Sequence, residues 1–371
     1  MKKYSIHICL VSEETLANVS PVLDESFRPQ KVILASSPQM EKYTRRLSEI
    51  YKQHNIDFEV WDLPDNIFDS WALLESFETL AASLRDQDAC LNTTAGHRLL
   101  ALTAYEACKN VNIPSFYVNA LSDTILWIDK DHQDLEIEDH MNLHTFLQAQ
   151  GYEVLSGGKK NISKRKNDLC EYLVEHCQRF TQAIKQLNYL CANADHHLRI
   201  DLKNSYDPHN KELQEILNRF YELKLVETND GMIWTFIDEN ALSFAHGAWL
   251  EDYCYRKMTQ FNDKLQDYGS SIEVLRSQSK GSKNEIDAAF LKDNRLYIIE
   301  CKTSKMGNGV NILHKLESLS DLLGGTHGKG ILLSFHKLPS YDLQRAKDLD
   351  IEVFDAHNLS QFPAYIDKIT R

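Results

Sequence analysis

Along the first 150 residues, short apolar segments alternate with longer segments in which apolar residues recur every three or four positions. The short segments are rich in β-branched and aromatic residues and predict strands, whereas the longer, amphipathic segments predict helices. Strand and helix in alternation indicate an α/β domain over residues 1–150, with a mainly parallel sheet covered by helices on both faces. The predicted strands are 4–11, 31–36, 58–63, 89–92, 114–119 and 124–129, and the predicted helices are 39–53, 70–85 and 96–110.

The pattern changes between residues 151 and 240. A stretch rich in glycine, lysine and arginine, 157–168, is typical of a solvated linker. Helices followed by a short hairpin suggest a winged helix, but no basic recognition helix is apparent, which favours a connector over a reader of nucleic-acid sequence. The predicted helices of this region are 169–190 and 209–224, and the predicted hairpin is 225–238.

The remaining segment, 241–371, follows the order helix, three strands, helix, strand, and predicts a second α/β domain. A two-residue turn at Asp293 and Asn294 would join the second and third strands as a hairpin. The predicted helices are 245–261 and 311–323, and the predicted strands are 271–278, 285–291, 295–302 and 330–335.

Composition narrows the possible functions. A chain of 371 residues with 43% hydrophobic residues suits two or three domains with sizeable cores. The net charge of -13 disfavours a protein that simply coats nucleic acid, because phosphate binding needs an exposed positive surface. The sequence has no apolar run long enough to span a membrane and no recognisable signal peptide, so we expect a cytoplasmic protein. The eight cysteines form no CxxC pair, and most are expected to be reduced core residues.

Polar residues follow three predicted strands of the amino-terminal, Rossmann-like sheet, at the edge where such sheets bind ligands. One of these segments, 92–98, runs straight into a helix, whose free backbone N–H groups could hold an anion. Threonine before an apolar helix is also a common N-cap, so an anion pocket and a helix cap both remain open. The chain has no GxGxxG motif, which disfavours a dinucleotide site. The candidate ligand-binding residues are Ser12, Ser36, Thr93, Thr94, His97 and Arg98.

The predicted hairpin at 285–302 carries the clearest chemistry in the chain. Counting back from its two-residue turn places Asp287 opposite Glu300, and alternation places Lys302 on the same face. Cys301 then points to the other face, into the core. Two facing carboxylates repel each other unless a counter-charge lies between them, and hard oxygen ligands favour Mg²⁺ or Mn²⁺. A lysine beside such a cation can orient a water molecule and stabilise charge on a phosphate.

This arrangement resembles the PD-(D/E)xK nuclease superfamily, in which Asp, Glu and Lys correspond here to Asp287, Glu300 and Lys302. The element order of the last domain also matches the restriction-endonuclease-like α/β fold of that superfamily. The resemblance implies a further acid on the first helix, Glu251, which would join Asp287 and Glu300 as a metal ligand. Ile286 stands where the nominal proline of the motif would be.

The whole chain resembles the CRISPR-associated effectors of the Card and Can type, in which a CARF domain controls a PD-(D/E)xK nuclease. The resemblance rests on domain order, on the catalytic motifs, on the ligand-binding turn at 92–98 and on the glycine-rich stretch 322–330. It implies a homodimer that binds a cyclic oligoadenylate across its two-fold axis, with cyclic tetra-adenylate as the expected activator. Metal-dependent cutting of single-stranded RNA or of DNA would follow once that activator is present.

Two other functions fit parts of the sequence. A ligand-responsive transcriptional regulator would use the possible winged helix to bind operators, but the intact Asp, Glu and Lys set weighs against a degenerate nuclease. A constitutive repair or restriction nuclease would use the amino-terminal domain as a platform and would cut without any cyclic nucleotide.

Overall fold

The computed structural model describes residues 3–129, 131–276, 283–305, 309–325 and 328–371. The chain divides into two compact units that interleave along the sequence. The first consists of Met1–Val154, Leu275–Lys283 and Leu291–Arg295, and the second of Leu155–Val274, Asn284–Phe290 and Leu296–Arg371. The second unit therefore contains both the middle region and most of the predicted nuclease segment. The three-part division at residues 150 and 240 stays a prediction.

The first unit is built on a seven-stranded sheet of order β3-β2-β1-β4-β5-β6-β7. The first five strands pair in parallel and the last two antiparallel, which confirms the mainly parallel, Rossmann-like α/β sheet. Its strands are β1 (Ile6–Leu10), β2 (Lys31–Ser36), β3 (Asp57–Asp62), β4 (Ala89–Asn92), β5 (Ser115–Asn119), β6 (Thr124–Trp127) and β7 (Leu135–Glu136).

The helices of the first unit include two that the apolar pattern did not predict, α1 and α5. Helix α1 contains Pro21 and most of its residues are buried, so it shows no clear alternation between a polar and an apolar face. The predicted start of the helix at 96–110 was two residues early, because His97 is its N-cap. These helices are α1 (Leu16–Leu23), α2 (Glu41–Gln53), α3 (Ser70–Ser83), α4 (Arg98–Asn110) and α5 (Leu143–Ala149).

Apolar side chains from the sheet and from helices α3 and α4 form one core of the first unit, with Ile8, Leu91 and Ala104 fully buried. All eight cysteines of the chain are buried and none forms a disulfide, as predicted. Within the described residues, no helix is long and apolar enough to cross a membrane.

A five-residue segment of the predicted catalytic hairpin, Leu291–Arg295, belongs to the first unit. The Asn294 side-chain amide donates to both carboxylate oxygens of Asp123, at 3.0 and 3.2 Å, in the turn between β5 and β6. Lys292 Nζ lies 3.2 Å from Asp139 Oδ2. Burial raises the pKa of Asp123 to about 7, and the amide of Asn294 partly offsets this. The segment is thus anchored by polar contacts to buried or half-buried acids.

The middle region contributes three helices and a three-stranded antiparallel sheet of order β10-β11-β9 to the second unit. The prediction of one continuous helix over 169–190 is wrong, because the chain bends at His176 and forms two helices. The predicted hairpin is present and gains a third strand. The elements are α6 (Lys164–Glu175), α7 (Cys177–Ala192), β9 (Arg199–Asp201), α8 (Lys211–Glu222), β10 (Val226–Thr228) and β11 (Ile233–Phe236).

Five strands of the predicted nuclease segment and β8, which precedes the middle helices, form a six-stranded sheet of order β16-β15-β14-β13-β12-β8, in which β14, β15 and β16 run parallel. The predicted order of helix, three strands, helix and strand is present. Residues 277–278 of one predicted strand and 326–327 of the glycine-rich stretch lie outside the described residues. The strands are β8 (Tyr152–Gly158), β12 (Asp267–Arg276), β13 (Asn284–Lys292), β14 (Arg295–Lys302), β15 (Lys329–Ser334) and β16 (Ile351–Phe354).

The helix predicted at 245–261 is interrupted. A short helix ends at Ser243, a wide turn spans Phe244–Ala248, and a new helix starts at Trp249. The helices of this segment are α9 (Glu239–Ser243), α10 (Trp249–Thr259), α11 (Gly309–Gly324), α12 (Ser340–Asp348) and α13 (Phe362–Ile369).

Two neighbouring glycines at the end of β8 allow a test of how tightly this strand packs against β12. Both have positive φ, 103° at Gly157 and 129° at Gly158. A Cβ atom on Gly157 would lie 2.3 Å from the Ser271 carbonyl oxygen, whereas a Cβ on Gly158 would meet no atom within 4 Å.

We therefore expect Gly157→Ala to destabilise the protein more than Gly158→Ala. Both variants carry the cost of a left-handed alanine, about 1–2 kcal/mol. Only Gly157→Ala adds a backbone clash, worth about 1–3 kcal/mol. Urea denaturation of the two variants measures the difference in their free energies of unfolding. Equal losses of stability would show that β8 and β12 accommodate the added methyl group without a clash.

Candidate functional site

The hairpin of β13 and β14 carries the candidate catalytic residues of the second unit. Its turn residues Asp293 and Asn294 have φ of 51° and 50°, as a two-residue hairpin turn requires. The rings of Phe290 and Tyr297 stack at 4.5 Å, as expected for side chains directly opposite each other three positions from the turn. The stacking of these two rings therefore agrees with the strand register that a two-residue turn at Asp293 and Asn294 predicts.

The structure brings Asp287, Glu300 and Lys302 together. Lys302 Nζ lies 2.6 Å from Glu300 Oε1 and 3.9 Å from Asp287 Oδ2. Asp287 Oδ2 also accepts a hydrogen bond of 2.8 Å from the Cys301 backbone N–H. Cys301 itself is buried in the apolar core, as predicted. The two carboxylates thus share one ammonium group between them.

Negative charge exceeds positive charge among Asp287, Glu300 and Lys302. Burial, followed by the nearby charge of Glu300, raises the pKa of Asp287 to about 6, although Lys302 opposes the shift. Burial alone would lower the pKa of Lys302, but the two carboxylates raise it above its ordinary value. An additional positive charge would therefore be favourable beside Asp287.

Glu251 lies close enough to interact electrostatically with Asp287. Burial and then the charge of Asp287 raise the pKa of Glu251 to about 7. It lies in the first turn of α10, directly after Trp249 and Leu250, which are fully buried and fix the start of the helix.

A glycine allows the start of α10 to approach the end of β14. Gly247 has φ of 148°, and a Cβ atom there would lie 2.5 Å from the hydroxyl of Thr303, the residue after Lys302. That hydroxyl is also 3.2 Å from the Asn188 side-chain amide, which donates to it. The wide turn at 244–248 thus positions Glu251 near the hairpin, and sequence periodicity could not show it.

The donor chemistry of these residues fits a hard divalent cation. In the described part of the chain, no three His, Cys, Asp or Glu side chains already converge as a metal cluster. Asp287 and Glu300 nevertheless offer facing carboxylate oxygens, with Lys302 between them. Magnesium and manganese prefer such oxygen ligands.

A second set of predicted residues lies at the carboxyl ends of the strands in the first unit. The Ser36 hydroxyl is buried and lies 2.6 Å from the Thr44 hydroxyl, so it is engaged inside the protein. Ser12 is partly exposed and accepts a hydrogen bond from the Glu14 N–H. Of these two serines, only Ser12 faces solvent.

The turn between β4 and α4 is fastened to β5. The Thr93 hydroxyl donates to the Phe116 carbonyl at 2.9 Å. The Thr94 hydroxyl donates to Asn92 at 2.6 Å and accepts from the Val118 N–H at 2.7 Å. These threonines therefore shape the turn, and their hydroxyls have partners within the protein.

His97 and Arg98 start α4 and are exposed. His97, rather than a threonine, caps the helix, because its Nδ1 accepts from the Leu99 N–H. Its ring also contacts the exposed ring of Phe68 at 5.2 Å. The exposed cation of Arg98 beside free helix N–H groups is suited to an anion.

Two asparagines of this edge were missed by sequence reasoning. Asn92 donates to the Ala17 carbonyl at 2.7 Å and to Asn18 at 3.1 Å, and Asn18 donates to the Leu10 carbonyl at 2.8 Å. Asn92 begins the segment 92–98 noted above, but its partner Asn18 lies on α1, which the apolar pattern did not predict.

Two family models match the chain. Residues 6–146 match the Card1 CARF domain, and residues 238–370 match the Card1-like endonuclease domain. Among curated proteins, none matches the sequence.

Solved structures share the fold over nearly the whole chain. Protein VC1899 from Vibrio cholerae is 27% identical, with a TM-score of 0.89 over 98% of this chain and 97% of that one. Can2 from Sulfobacillus thermosulfidooxidans, in complex with cyclic tetra-adenylate, is 20% identical, with a TM-score of 0.80 over 99% and 97%. A type III CRISPR defence DNA nuclease activated by cyclic oligoadenylate is 14% identical, with a TM-score of 0.59 over 90% and 46%.

The likenesses at 20% and 14% identity establish the fold alone, whereas the two family models identify the domains at residues 6–146 and 238–370. They confirm the predicted nuclease and the predicted sensor in the predicted order. The chain therefore belongs to the CRISPR-associated effector nucleases in which a CARF domain precedes an endonuclease domain of the Card1 type.

Proposed function

We propose that this endonuclease serves type III CRISPR antiviral defence and cleaves single-stranded RNA or DNA when cyclic tetra-adenylate binds its CARF domain. The observation that carries the proposal is the cluster of Asp287, Glu300 and Lys302 in an endonuclease domain whose chain also contains a CARF domain. The similar Can2 structure contains cyclic tetra-adenylate, which supports this choice of activator.

In the proposed nuclease site, Asp287, Glu300 and Glu251 would hold Mg²⁺ or Mn²⁺. The cation would supply positive charge to the scissile phosphate during hydrolysis. Lys302 is held by Glu300 and would direct its ammonium toward an oxygen of that phosphate. Burial of Glu300, whose side chain is only 6% exposed, keeps the anchor of Lys302 rigid.

In the proposed sensor site, Arg98, His97 and the N–H groups at the start of α4 would bind phosphate groups of the activator. Thr93 and Thr94 would hold the turn in place, Ser12 would face the ligand, and Ser36 would support the strand end from inside. An activator that binds one arrangement of the protein better shifts the population toward that arrangement.

We further propose a homodimer with the activator across its two-fold axis. Large exposed apolar side chains often mark protein interfaces. Near the start of α3 and on the adjoining α4, Phe68, Trp71 and Leu102 are 67%, 80% and 66% exposed. These side chains support a pairing surface on the first unit.

Cleavage should depend on both activator and catalytic cluster. Purified protein with Mn²⁺ is incubated with single-stranded RNA, single-stranded DNA and supercoiled plasmid, each with and without cyclic tri-, tetra- and hexa-adenylate. We expect cleavage with cyclic tetra-adenylate, and loss of at least about 100-fold in Glu300→Ala because Lys302 and the cation both lose a partner.

A matched control is Glu227→Ala, which removes an exposed strand glutamate and should leave cleavage unchanged. Equal cutting without any cyclic nucleotide would indicate the constitutive nuclease. Specific duplex binding without cutting would indicate the transcriptional regulator. Full activity of Glu300→Ala would show that the nuclease site is not the one proposed at Asp287, Glu300 and Lys302.

The sensor assignment predicts that Arg98→Ala weakens binding of cyclic tetra-adenylate by roughly tenfold or more, because a charge-assisted hydrogen bond is lost. Isothermal titration calorimetry measures the affinity. Arg85→Ala, which changes an exposed arginine after α3, serves as the control and should bind normally. Unchanged affinity in Arg98→Ala would show that Arg98, at the start of α4, does not bind the activator.

The raised pKa of Glu251 predicts a pH-dependent stability. In metal-free protein, folded Glu251 keeps its proton up to about pH 7, whereas the unfolded chain releases it near its ordinary value of 4.5. The contribution of Glu251 to the free energy of unfolding is therefore lost as the pH rises from about 4.5 to about 7. Glu251→Gln should match the wild type at pH 5 and exceed it at pH 8, by on the order of 1 kcal/mol.

Urea denaturation in EDTA measures this difference. Saturating Mn²⁺ should reverse the order at pH 8, because a bound cation stabilises the folded wild type through its carboxylate ligands. If Mn²⁺ stabilises Glu251→Gln as much as the wild type, Glu251 is not a ligand.

A further inference from the structure

A second lysine approaches the catalytic cluster from another element of the fold. Lys315, on α11, has its Nζ 3.8 Å from Glu300 Oε1, the same oxygen that lies 2.6 Å from Lys302 Nζ. The sequence motif does not include this residue. Its side chain is 58% exposed, whereas that of Glu300 is 6% exposed.

Helix α11 fixes the position from which Lys315 acts. Its apolar face, including Leu313, Leu316 and Leu319, is buried. Gly330 of β15 permits this close packing, because a Cβ atom there would lie 3.0 Å from Leu316 Cγ. The backbone at Lys315 is therefore held firmly, while its long side chain reaches solvent beside the site.

The contact between Lys315 and Glu300 is weak. Glu300 already has a closer cation in Lys302, and exposed ion pairs contribute little because water screens them. A divalent cation on Asp287 and Glu300 would repel the Lys315 ammonium and remove most of its attraction to the carboxylate. Lys315 would then need a new anionic partner within reach of its side chain.

The phosphodiester backbone of the substrate is the anion that this site would receive. We infer that Lys315 is a further substrate-contacting residue, which leaves Glu300 when the site is loaded and binds a phosphate oxygen of the nucleic acid. This inference rests on the proposed nuclease function. Lys302 is closer to Glu300 and less exposed than Lys315, at 29% against 58%, so Lys315 is the lysine that reaches out to the backbone.

The test compares Lys315→Met, Lys315→Arg and a control, Lys347→Met, which removes an exposed lysine from α12. Binding of a fluorescent single-stranded oligonucleotide is measured by anisotropy against salt concentration, with Ca²⁺ in place of Mn²⁺ and activator present. Loss of one phosphate contact should reduce the slope of log affinity against log salt by about 0.7. We expect this change in Lys315→Met alone, together with a roughly tenfold higher KM in the Mn²⁺ reaction and restoration by Lys315→Arg.

Mn²⁺ titration without nucleic acid separates this role from a structural one. A substrate contact predicts that Lys315→Met binds Mn²⁺ within about twofold of the wild type, or slightly tighter, since it removes a repelling charge. A wild-type salt slope and KM in Lys315→Met would overturn the inference, as would weaker Mn²⁺ binding with an unchanged slope. If the wild type itself fails to cut with activator, the proposed function fails instead.

Discussion

The two-residue turn at Asp293 and Asn294 is the constraint on which the proposed nuclease site depends. Both residues adopt positive φ, and this geometry closes the hairpin without a spare residue. Because strand side chains alternate, a slip of one residue would turn Asp287 and Glu300 into the core and Cys301 toward the proposed site. A local backbone preference therefore sets the register that brings Asp287 opposite Glu300.

Features governed by local rules could be predicted from the sequence. The hairpin, the parallel sheet and the meeting of Asp287 with Glu300 and Lys302 all follow from alternation and turn chemistry. Features governed by tertiary contacts could not. Helix α1 is nearly all buried and contains Pro21, so it lacks a periodic signal, and the break at His176 interrupts a continuous amphipathic pattern. The proximity of Lys315 to Glu300 depends on how α11 packs on β15, which no motif specifies.

The electrostatics of the site agree with an enzyme that requires added charge. Asp287 is affected by the charge of Glu300, Glu251 is affected by the charge of Asp287, and the pKa values of Asp287 and Glu251 are raised mainly by burial. Lys302 offsets only part of this negative charge. In a protein with net charge -13, such a site has little attraction for nucleic acid until a cation is bound. Weak affinity for nucleic acid in the absence of a cation would suit the proposed control of cleavage by a cyclic nucleotide.

The tip of the β13–β14 hairpin belongs to the first compact unit, where Asn294 contacts Asp123 and Lys292 contacts Asp139. The two family segments, 6–146 and 238–370, therefore do not separate cleanly at the level of side chains. A chimaera that joined this nuclease to a foreign sensor would leave the tip without its acidic partners unless the new sensor supplied equivalents. Evolution is accordingly expected to have exchanged the two segments together, or to have changed both sides of this attachment in step.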